Sequence, residues 1–181
     1  MNLKNTSQRY GLVSIILHWL GAIGVFVLFF LGLWMMELDY YDAWYKSAPA
    51  LHKSIGFVVV LLFVVRFLWR SYSKPPTALK SHKYWEVLVA KVIHTAFYCV
   101  VVSMLISGYL ITTSKGQPLE VLGFIALPAT VTGIENLEHY ASEVHEFMAF
   151  LIVGVATLHG LAALKHHFFD KDTTLKRMLG L

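Results

Sequence analysis

The sequence predicts an all-α protein that crosses a membrane as a single four-helix bundle domain over residues 1–181. Three observations indicate this class: 57% of the residues are hydrophobic, only 14% are charged, and the mean hydropathy is +0.61. A soluble domain has about a quarter charged residues, so the low charge content argues against an ordinary soluble fold. The length suits one domain, and no nucleic-acid partner is expected.

Four runs that contain few or no charged residues locate the predicted spans. Residues 10–36, 92–114 and 147–164 contain no Asp, Glu, Lys or Arg, and a shorter run covers 54–65. A helix needs about 20 residues to cross a bilayer. The short run reaches this length if the helix includes flanking residues whose long side chains extend to the membrane interface. The predicted helices are 9–36, 49–71, 84–113 and 139–168.

The charges in the loops predict the orientation. The termini, the connection at 71–84 and their flanks carry twelve Lys and Arg against three acidic residues, a net charge of +9. The opposite side carries three Lys against eight acidic residues, a net charge of −5. Loops rich in Lys and Arg stay in the cytoplasm, so both termini are expected there. The outer loop at about 115–138 is expected on the membrane surface or over the outer end of the bundle.

Four of the nine histidines pair at two depths inside the predicted spans. His18 and His159 are about ten residues from the cytoplasmic ends of their helices, whereas His52 and His145 lie near the outer side. His145 and His159 are two heptads apart, so they face the same seam, about 21 Å apart along the helix. An intramembrane histidine is costly unless its ring nitrogens are bound. Two opposed pairs fit two haems, each held by imidazoles from different helices.

Glycines lie one turn after, or next to, three of these histidines, and they favour a flat slot beside each ring: Gly21, Gly56 and Gly160. For any one histidine, a hydrogen bond to a neighbouring helix is an equally good interpretation. Four histidines that pair by depth are harder to explain in that way. A zinc or copper site is the nearest alternative, but it needs all its ligands within one coordination shell.

The whole chain resembles the bacterial cytochrome b561 family, which is similar to the membrane cytochrome b subunits of nickel hydrogenases and formate dehydrogenases. The matching segments are "ILHWL" (16–20), "LHKSIG" (51–56), "VIHTAFY" (92–98) and "VHEFMAFLIVGVATLHGLAALKHHFFDKDTTLKRM" (144–178). The resemblance implies a bacterial inner-membrane protein that holds two haem b and transfers electrons across the membrane with quinone. It places His18 with His159 on the inner haem and His52 with His145 on the outer haem.

Three further residues are candidates for contacts with the haem propionates or with quinone. His94 lies at the depth of the inner haem, where it is either a donor to a propionate or quinone carbonyl or a hydrogen-bonding partner of a neighbouring helix. Arg66 follows His52 by fourteen residues and so faces the same seam, where a cation suits propionate charge. Alternatively, Arg66 anchors its helix at the interface between membrane and water. Lys53 would place a positive charge near the propionates of the outer haem, as Arg66 would near those of the inner haem.

Three functions stay open at this point. The favoured one is an oxidoreductase that passes electrons between a small outer donor, such as superoxide in some family members, and membrane quinone. The second is a cytochrome b subunit that anchors a partner dehydrogenase or hydrogenase, and the small size of the extramembrane parts favours the first over it. The third is a histidine-lined metal transporter. The expected partners are lipid, quinone and an unidentified outer donor, and the direction of electron flow does not follow from the sequence.

Overall fold

The computed structural model describes residues 2–181, and its main elements are four long helices. They are α1 (Leu12–Met36), α2 (Ser47–Tyr72), α3 (Tyr84–Thr113) and α4 (Leu137–Phe168), and each is long and apolar enough to cross a membrane. A short helix, α5 (Thr174–Leu179), follows α4. Two three-residue strands, β1 (Leu119–Val121) and β2 (Ile125–Leu127), lie between α3 and α4. The predicted all-α class is confirmed, whereas the hairpin and α5 were not predicted.

Contacts along the chain group these elements into two compact units. The first unit comprises the residues up to Ile23 together with Leu62–Tyr98 and Gly154–Leu181. The second unit comprises Gly24–Leu61 and Cys99–Val153. Each of the four long helices therefore contributes one part to each unit. The organisation of the chain as one four-span domain stays a prediction.

The four long helices expose apolar side chains as well as burying them. Phe30 on α1 is 62% exposed, Phe67 on α2 is 55% exposed and Leu158 on α4 is 67% exposed. Such surfaces are unfavourable in water but suit the hydrocarbon core of a bilayer, where a helix also satisfies its own backbone hydrogen bonds. The chain is therefore a multi-pass membrane protein.

Helix α1 begins at Leu12, three residues later than predicted, because the preceding residues form a hydrogen-bonded loop. The side chain of Asn5 accepts a hydrogen bond from the backbone N–H of Gly11 (2.8 Å) and donates one to the carbonyl of Ser73 (2.8 Å). A Cβ at residue 11 would lie 2.4 Å from the carbonyl oxygen of Leu3, so only glycine fits there. This loop attaches the amino-terminal segment to the end of α2 in the first unit.

The carboxyl-terminal segment is also attached to the first unit by hydrogen bonds. The indole N–H of Trp19 donates to the carbonyl of Met178 (2.9 Å), and Arg177 donates to the carbonyl of Thr77 (2.9 Å). Trp19 thus contacts α5 as well as the ring of the adjacent His18. These contacts hold α5 against α1 and against the connector between α2 and α3.

An ion-pair cluster lies at the carboxyl-terminal end of α4. The Lys165 ammonium donates to Asp170 Oδ2 (2.6 Å) and to Glu86 Oε1 (3.4 Å) at the start of α3. The hydrogen bond from Lys165 holds the pKa of Asp170 below its usual value, so this carboxylate is ionised at neutral pH. The cluster lies within the first unit and joins α4 to α3.

The outer loop forms the hairpin of β1 and β2, which packs on helices of the second unit. The strands are antiparallel, and Leu122 in the turn has a φ of 57°. The Leu122 N–H donates to Ser54 Oγ near the start of α2 (2.9 Å), and the Tyr109 hydroxyl on α3 donates to the carbonyl of Pro128 (2.6 Å). The hairpin therefore lies against α2 and α3 within this unit.

Candidate functional site

The first unit contains a cluster of three half-buried histidines from three helices. His18 on α1 and His159 on α4 have ring centroids 6.5 Å apart, with the ring planes at 72°. The ring of His94 on α3 lies 5.3 Å from that of His159. The two histidines that the sequence places at one depth thus lie side by side, and His94 lies next to them.

A cation and an aromatic group surround this cluster. Arg66 on α2 lies within electrostatic reach of His18 and His159. The ring of Tyr98 packs edge-on against Phe67, with the centroids 5.5 Å apart. The Tyr98 hydroxyl is buried without a hydrogen-bond partner among residues 2–181. The cluster therefore has a positive charge beside the paired imidazoles, and the Tyr98 side chain lies beside that charge.

The second unit contains the other predicted pair. His52 on α2 and His145 on α4 have ring centroids 6.3 Å apart, with the planes at 65°. Lys53 follows His52 and is half-buried, and no salt bridge to it occurs among the described residues. The structure thus gives each of the two units one pair of facing imidazoles.

Ser107 on α3 contacts His145, and the sequence analysis missed it. Its hydroxyl donates to the carbonyl of Ser103 (2.7 Å), and its oxygen lies 3.0 Å from Nδ1 of His145. Because a hydroxyl has only one proton, Nδ1–H of His145 is the donor to Ser107, and Nε2 keeps its lone pair. The available signal was a serine inside an apolar span, where interhelical hydrogen bonds are common.

Two glycines that the sequence analysis missed contact the second histidine pair. A Cβ at Gly108 on α3 would lie 3.1 Å from Cε1 of His145, and one at Gly32 on α1 would lie 3.4 Å from Cε1 of His52. A Cβ at Gly108 would therefore crowd the His145 ring, whereas one at Gly32 would make an ordinary contact with the His52 ring. The sequence pattern does not indicate this role because each glycine lies on a different helix from the ring that it touches.

The glycines that the sequence did single out differ in their surroundings. A Cβ at Gly56, one turn after His52, or at Gly160, next to His159, would meet no atom within 4 Å. A Cβ at Gly21 would meet the ring of Phe63 at 3.3 Å, so this glycine serves helix packing instead. Gly56 thus has open space one turn from His52, whereas Gly160 is exposed at the surface of the protein.

The geometry of both pairs fits a metal bound between two imidazoles. A ligating nitrogen lies about 2 Å from a first-row metal and about 1.2 Å from its ring centre, which sets the two ring centres about 6.3 Å apart. The observed separations are 6.5 Å and 6.3 Å. Nδ1 of His52 is buried without a hydrogen-bond partner in the described chain. The residues present therefore fit haem with two axial histidines.

Four apolar helices with a pair of facing imidazoles in each unit define a membrane helical bundle of the cytochrome b class. The prokaryotic cytochrome b561 family matches residues 9–181, and the chain belongs to this family. Membership establishes b-type haem binding and transmembrane electron transfer as its general activity. The resemblance found in the sequence is thereby confirmed.

The chain is similar to curated relatives over nearly its whole length. It is 47% identical to cytochrome b561 homolog 2 of Escherichia coli (strain K12) over 180 residues, which cover 99% of this chain and 96% of the relative. It is 25% identical to cytochrome b561 homolog 1 of the same organism over 179 residues, covering 95% and 97%. It is 29% identical to the probable superoxide oxidase CybB of Yersinia pestis over 178 residues, covering 95% and 96%.

Proposed function

We propose that this protein is a quinone-linked oxidoreductase that carries electrons across the bacterial inner membrane through two b haems, with both termini in the cytoplasm. The observation that carries the proposal is the presence of two imidazole pairs with centroid separations of 6.5 Å and 6.3 Å. His18 and His159 would hold the inner haem, and His52 and His145 the outer haem. When bound, each haem accepts and releases one electron at a time.

His94 and Arg66 are proposed to position and stabilise the anionic groups at the inner site. The ring of His94 lies 5.3 Å from that of His159, close enough for its N–H to reach a propionate or a quinone carbonyl. The guanidinium of Arg66 lies within electrostatic reach of both ligands and offers several N–H donors. Its positive charge favours the reduced state of the site.

Lys53, beside His52, is proposed to offer the same kind of donor at the outer site. This residue is half-buried. Lys115 is less suited to this role because its ammonium pairs with Glu138 at 2.6 Å.

The outer donor is proposed to give up one electron at a time. The distant relative named as a probable superoxide oxidase supports superoxide, which would leave as oxygen. Two such oxidations would supply the two electrons that, with two protons, convert one quinone into quinol. The acidic outer side favours a second candidate, an anchor subunit for a partner protein with a basic surface, because opposite charges steer association.

The test starts from the full chain purified in mild detergent. We expect two haems per polypeptide, a reduced-minus-oxidised spectrum of b type, and haem reduction by superoxide followed by reoxidation with quinone. A protein without a haem spectrum would end the proposal and favour the metal transporter. Co-purification of a stoichiometric dehydrogenase or hydrogenase, with no reaction with small donors, would instead support the anchor subunit.

A further inference from the structure

A second group of metal-binding side chains lies in the first unit, apart from the paired histidines. His82 belongs to the connector before α3, His166 to the last turn of α4, and Asp172 to the segment before α5. Nε2 of His82, Nδ1 of His166 and a carboxylate oxygen of Asp172 lie within 4.8 Å of one another. The tertiary fold thus brings two imidazoles and one carboxylate together from three segments.

The donor separations fit a tetrahedral metal ion. Zinc with bonds of about 2.0–2.1 Å keeps its donor atoms about 3.3 Å apart. Oδ2 of Asp172 lies 3.1 Å from Nε2 of His82 and 3.3 Å from Nδ1 of His166. Two of the three distances between donor atoms therefore already match those of a zinc site.

The carboxylate of Asp172 is held in an orientation that suits ligation. Its Oδ1 accepts a hydrogen bond from the backbone N–H of Thr174 (2.8 Å), which leaves Oδ2 directed towards the two histidines. The Asp172 side chain is only 7% exposed. Bonds of this kind from outside the coordination shell orient metal ligands in natural sites.

Nδ1 of His166 lacks a hydrogen bond although carboxylates surround it. It lies 2.7 Å from Oδ2 of Asp170 and 3.3 Å from Oδ2 of Asp172, but neither oxygen is in line for a hydrogen bond, and the atom is buried. A buried nitrogen without a partner is costly. Binding of a metal ion to its lone pair would remove this cost.

The charges around the histidines favour a divalent cation. Among the described residues, the ion-pair partners of Asp172 are His82 and His166, so its negative charge has no cationic partner when both histidines are neutral. Lys165 already contacts Glu86 and Asp170, so the position between the two histidines and Asp172 is the one without a cation.

We propose that His82, His166 and Asp172 bind one divalent transition-metal ion, with zinc the best match to two imidazoles and one carboxylate. The ion joins the connector, α4 and the segment before α5, and it thereby fixes the carboxyl-terminal segment to the first unit. Because it binds only the folded chain, it stabilises that fold by mass action. The site does not depend on the proposed electron-transfer function.

The experiment measures zinc rather than activity. The full chain with its haems, purified in detergent and stripped with a chelator, is dialysed against buffered free zinc, and bound zinc per polypeptide is determined by elemental analysis. Zinc and haem iron are distinguished directly in this measurement. We expect one zinc per wild-type chain at micromolar free zinc, together with a higher unfolding temperature.

Two variants and a control locate the ion. His82→Ala and Asp172→Asn should each weaken zinc binding by at least the factor of about 10–100 that follows when residues orienting metal ligands are replaced. His139→Ala removes an exposed histidine that pairs with Glu143 in the second unit, and it should bind zinc like the wild type.

Each result of this experiment either supports or contradicts the proposed zinc site. A wild-type chain that binds no zinc overturns it, and so do two variants that bind zinc as tightly as the wild type. If His82→Ala fails to fold, Asp172→Asn decides alone, because the amide keeps the size of the side chain and an acceptor for the Thr174 N–H. Unchanged haem content is the check that each variant is folded.

Discussion

Some side chains are proposed to bind the haems, and others to adjust their midpoint potentials. Two histidine pairs supply the imidazoles, and the partner of each ring decides which nitrogen remains free. Ser107 accepts a hydrogen bond from Nδ1 of His145, so Nε2 is the nitrogen available to a metal. Arg66 and His94 lie close to the other pair, where they are proposed to act on charge and position.

Replacing one histidine of each pair should separate the two haems. His145→Ala should remove the outer haem and leave the inner one, whereas His159→Ala should do the reverse, because each pair needs two ligands. Bound haem per polypeptide should fall from two to about one in each variant. A variant that kept both haems would show that its histidine is not a ligand. His139→Ala, at an exposed position, should keep both.

Removing the hydroxyl of Ser107 should change the electronic properties of the outer haem without releasing it. Ser107→Ala takes away the acceptor for Nδ1–H of His145, which makes the imidazole a weaker electron donor. The midpoint potential should therefore rise, by an amount on the order of tens of millivolts. Ser103→Ala is the matched control, because that hydroxyl donates to the carbonyl of Cys99 and not to a histidine. Equal potentials in all three proteins would contradict the assignment.

Removing the positive charge of Arg66 should make the inner haem harder to reduce. Arg66→Gln keeps much of the side-chain length but loses a cation that favours the added electron, so the midpoint potential should fall by an amount on the order of tens of millivolts. A redox titration followed at both haem bands is the measurement, and the outer haem is the internal control. An unchanged inner potential, with unchanged quinone kinetics, would leave Arg66 as an interfacial anchor.

Among the elements, the hairpin between α3 and α4 shows how a loop is fixed to the helices of its unit. Val121 is 1% exposed, which gives the hairpin a buried side chain of its own. Hydrogen bonds from the Leu122 N–H and the Tyr109 hydroxyl attach it to α2 and α3. Ser54, which accepts the first of these bonds, is two residues after His52 on α2.

Weakening the attachment to α3 should loosen this loop. Tyr109→Phe removes the hydroxyl that bonds Pro128 and Thr130, and a hydrogen bond of this kind contributes about 0.5–1.5 kcal/mol. Hydrogen exchange of residues 115–136 should therefore accelerate by a factor of about 2–10, since 1.4 kcal/mol corresponds to tenfold. Tyr41→Phe, at a residue 92% exposed, should leave exchange in this loop unchanged. Equal exchange in both variants would argue against the attachment.

For the whole molecule, the important property is that charge differs between the two sides that the sequence predicts. The side with the termini carries +9, and the opposite side carries −5. Lys115 on that side pairs with Glu138, so its positive charge is not free, and the net charge of the side is unchanged. An anion that approaches this side meets repulsion, while a basic protein is attracted.

The reaction with superoxide, measured as stopped-flow haem reduction, should therefore become faster when salt is added. Between about 0.01 M and about 0.1 M salt the Debye length falls from about 30 Å to about 10 Å, which screens the acidic residues from the approaching anion. Reduction by a neutral quinol is the control, and its rate should change little. A superoxide rate that falls steeply with salt would mean that local lysines such as Lys53 dominate the approach.

The sequence alone determined the four helices, the family and the pairing of the histidines by depth. A helix satisfies its own backbone hydrogen bonds inside a bilayer, so the long apolar segments of this sequence predict helices that span it. The regular rise of a helix also converts residue numbers into depth. The ends of α1 to α4 lie within three residues of the predicted ones. These properties are local along the chain, so a linear pattern is enough to read them.

The tertiary structure decided which side chains from different segments meet. Ser107 and Gly108 contact His145 from another helix, and His82 meets Asp172 although ninety residues separate them. Such contacts depend on how each helix is rotated about its axis and how closely it packs on its neighbours. Both follow from the summed packing of the whole chain, which no single stretch of sequence contains.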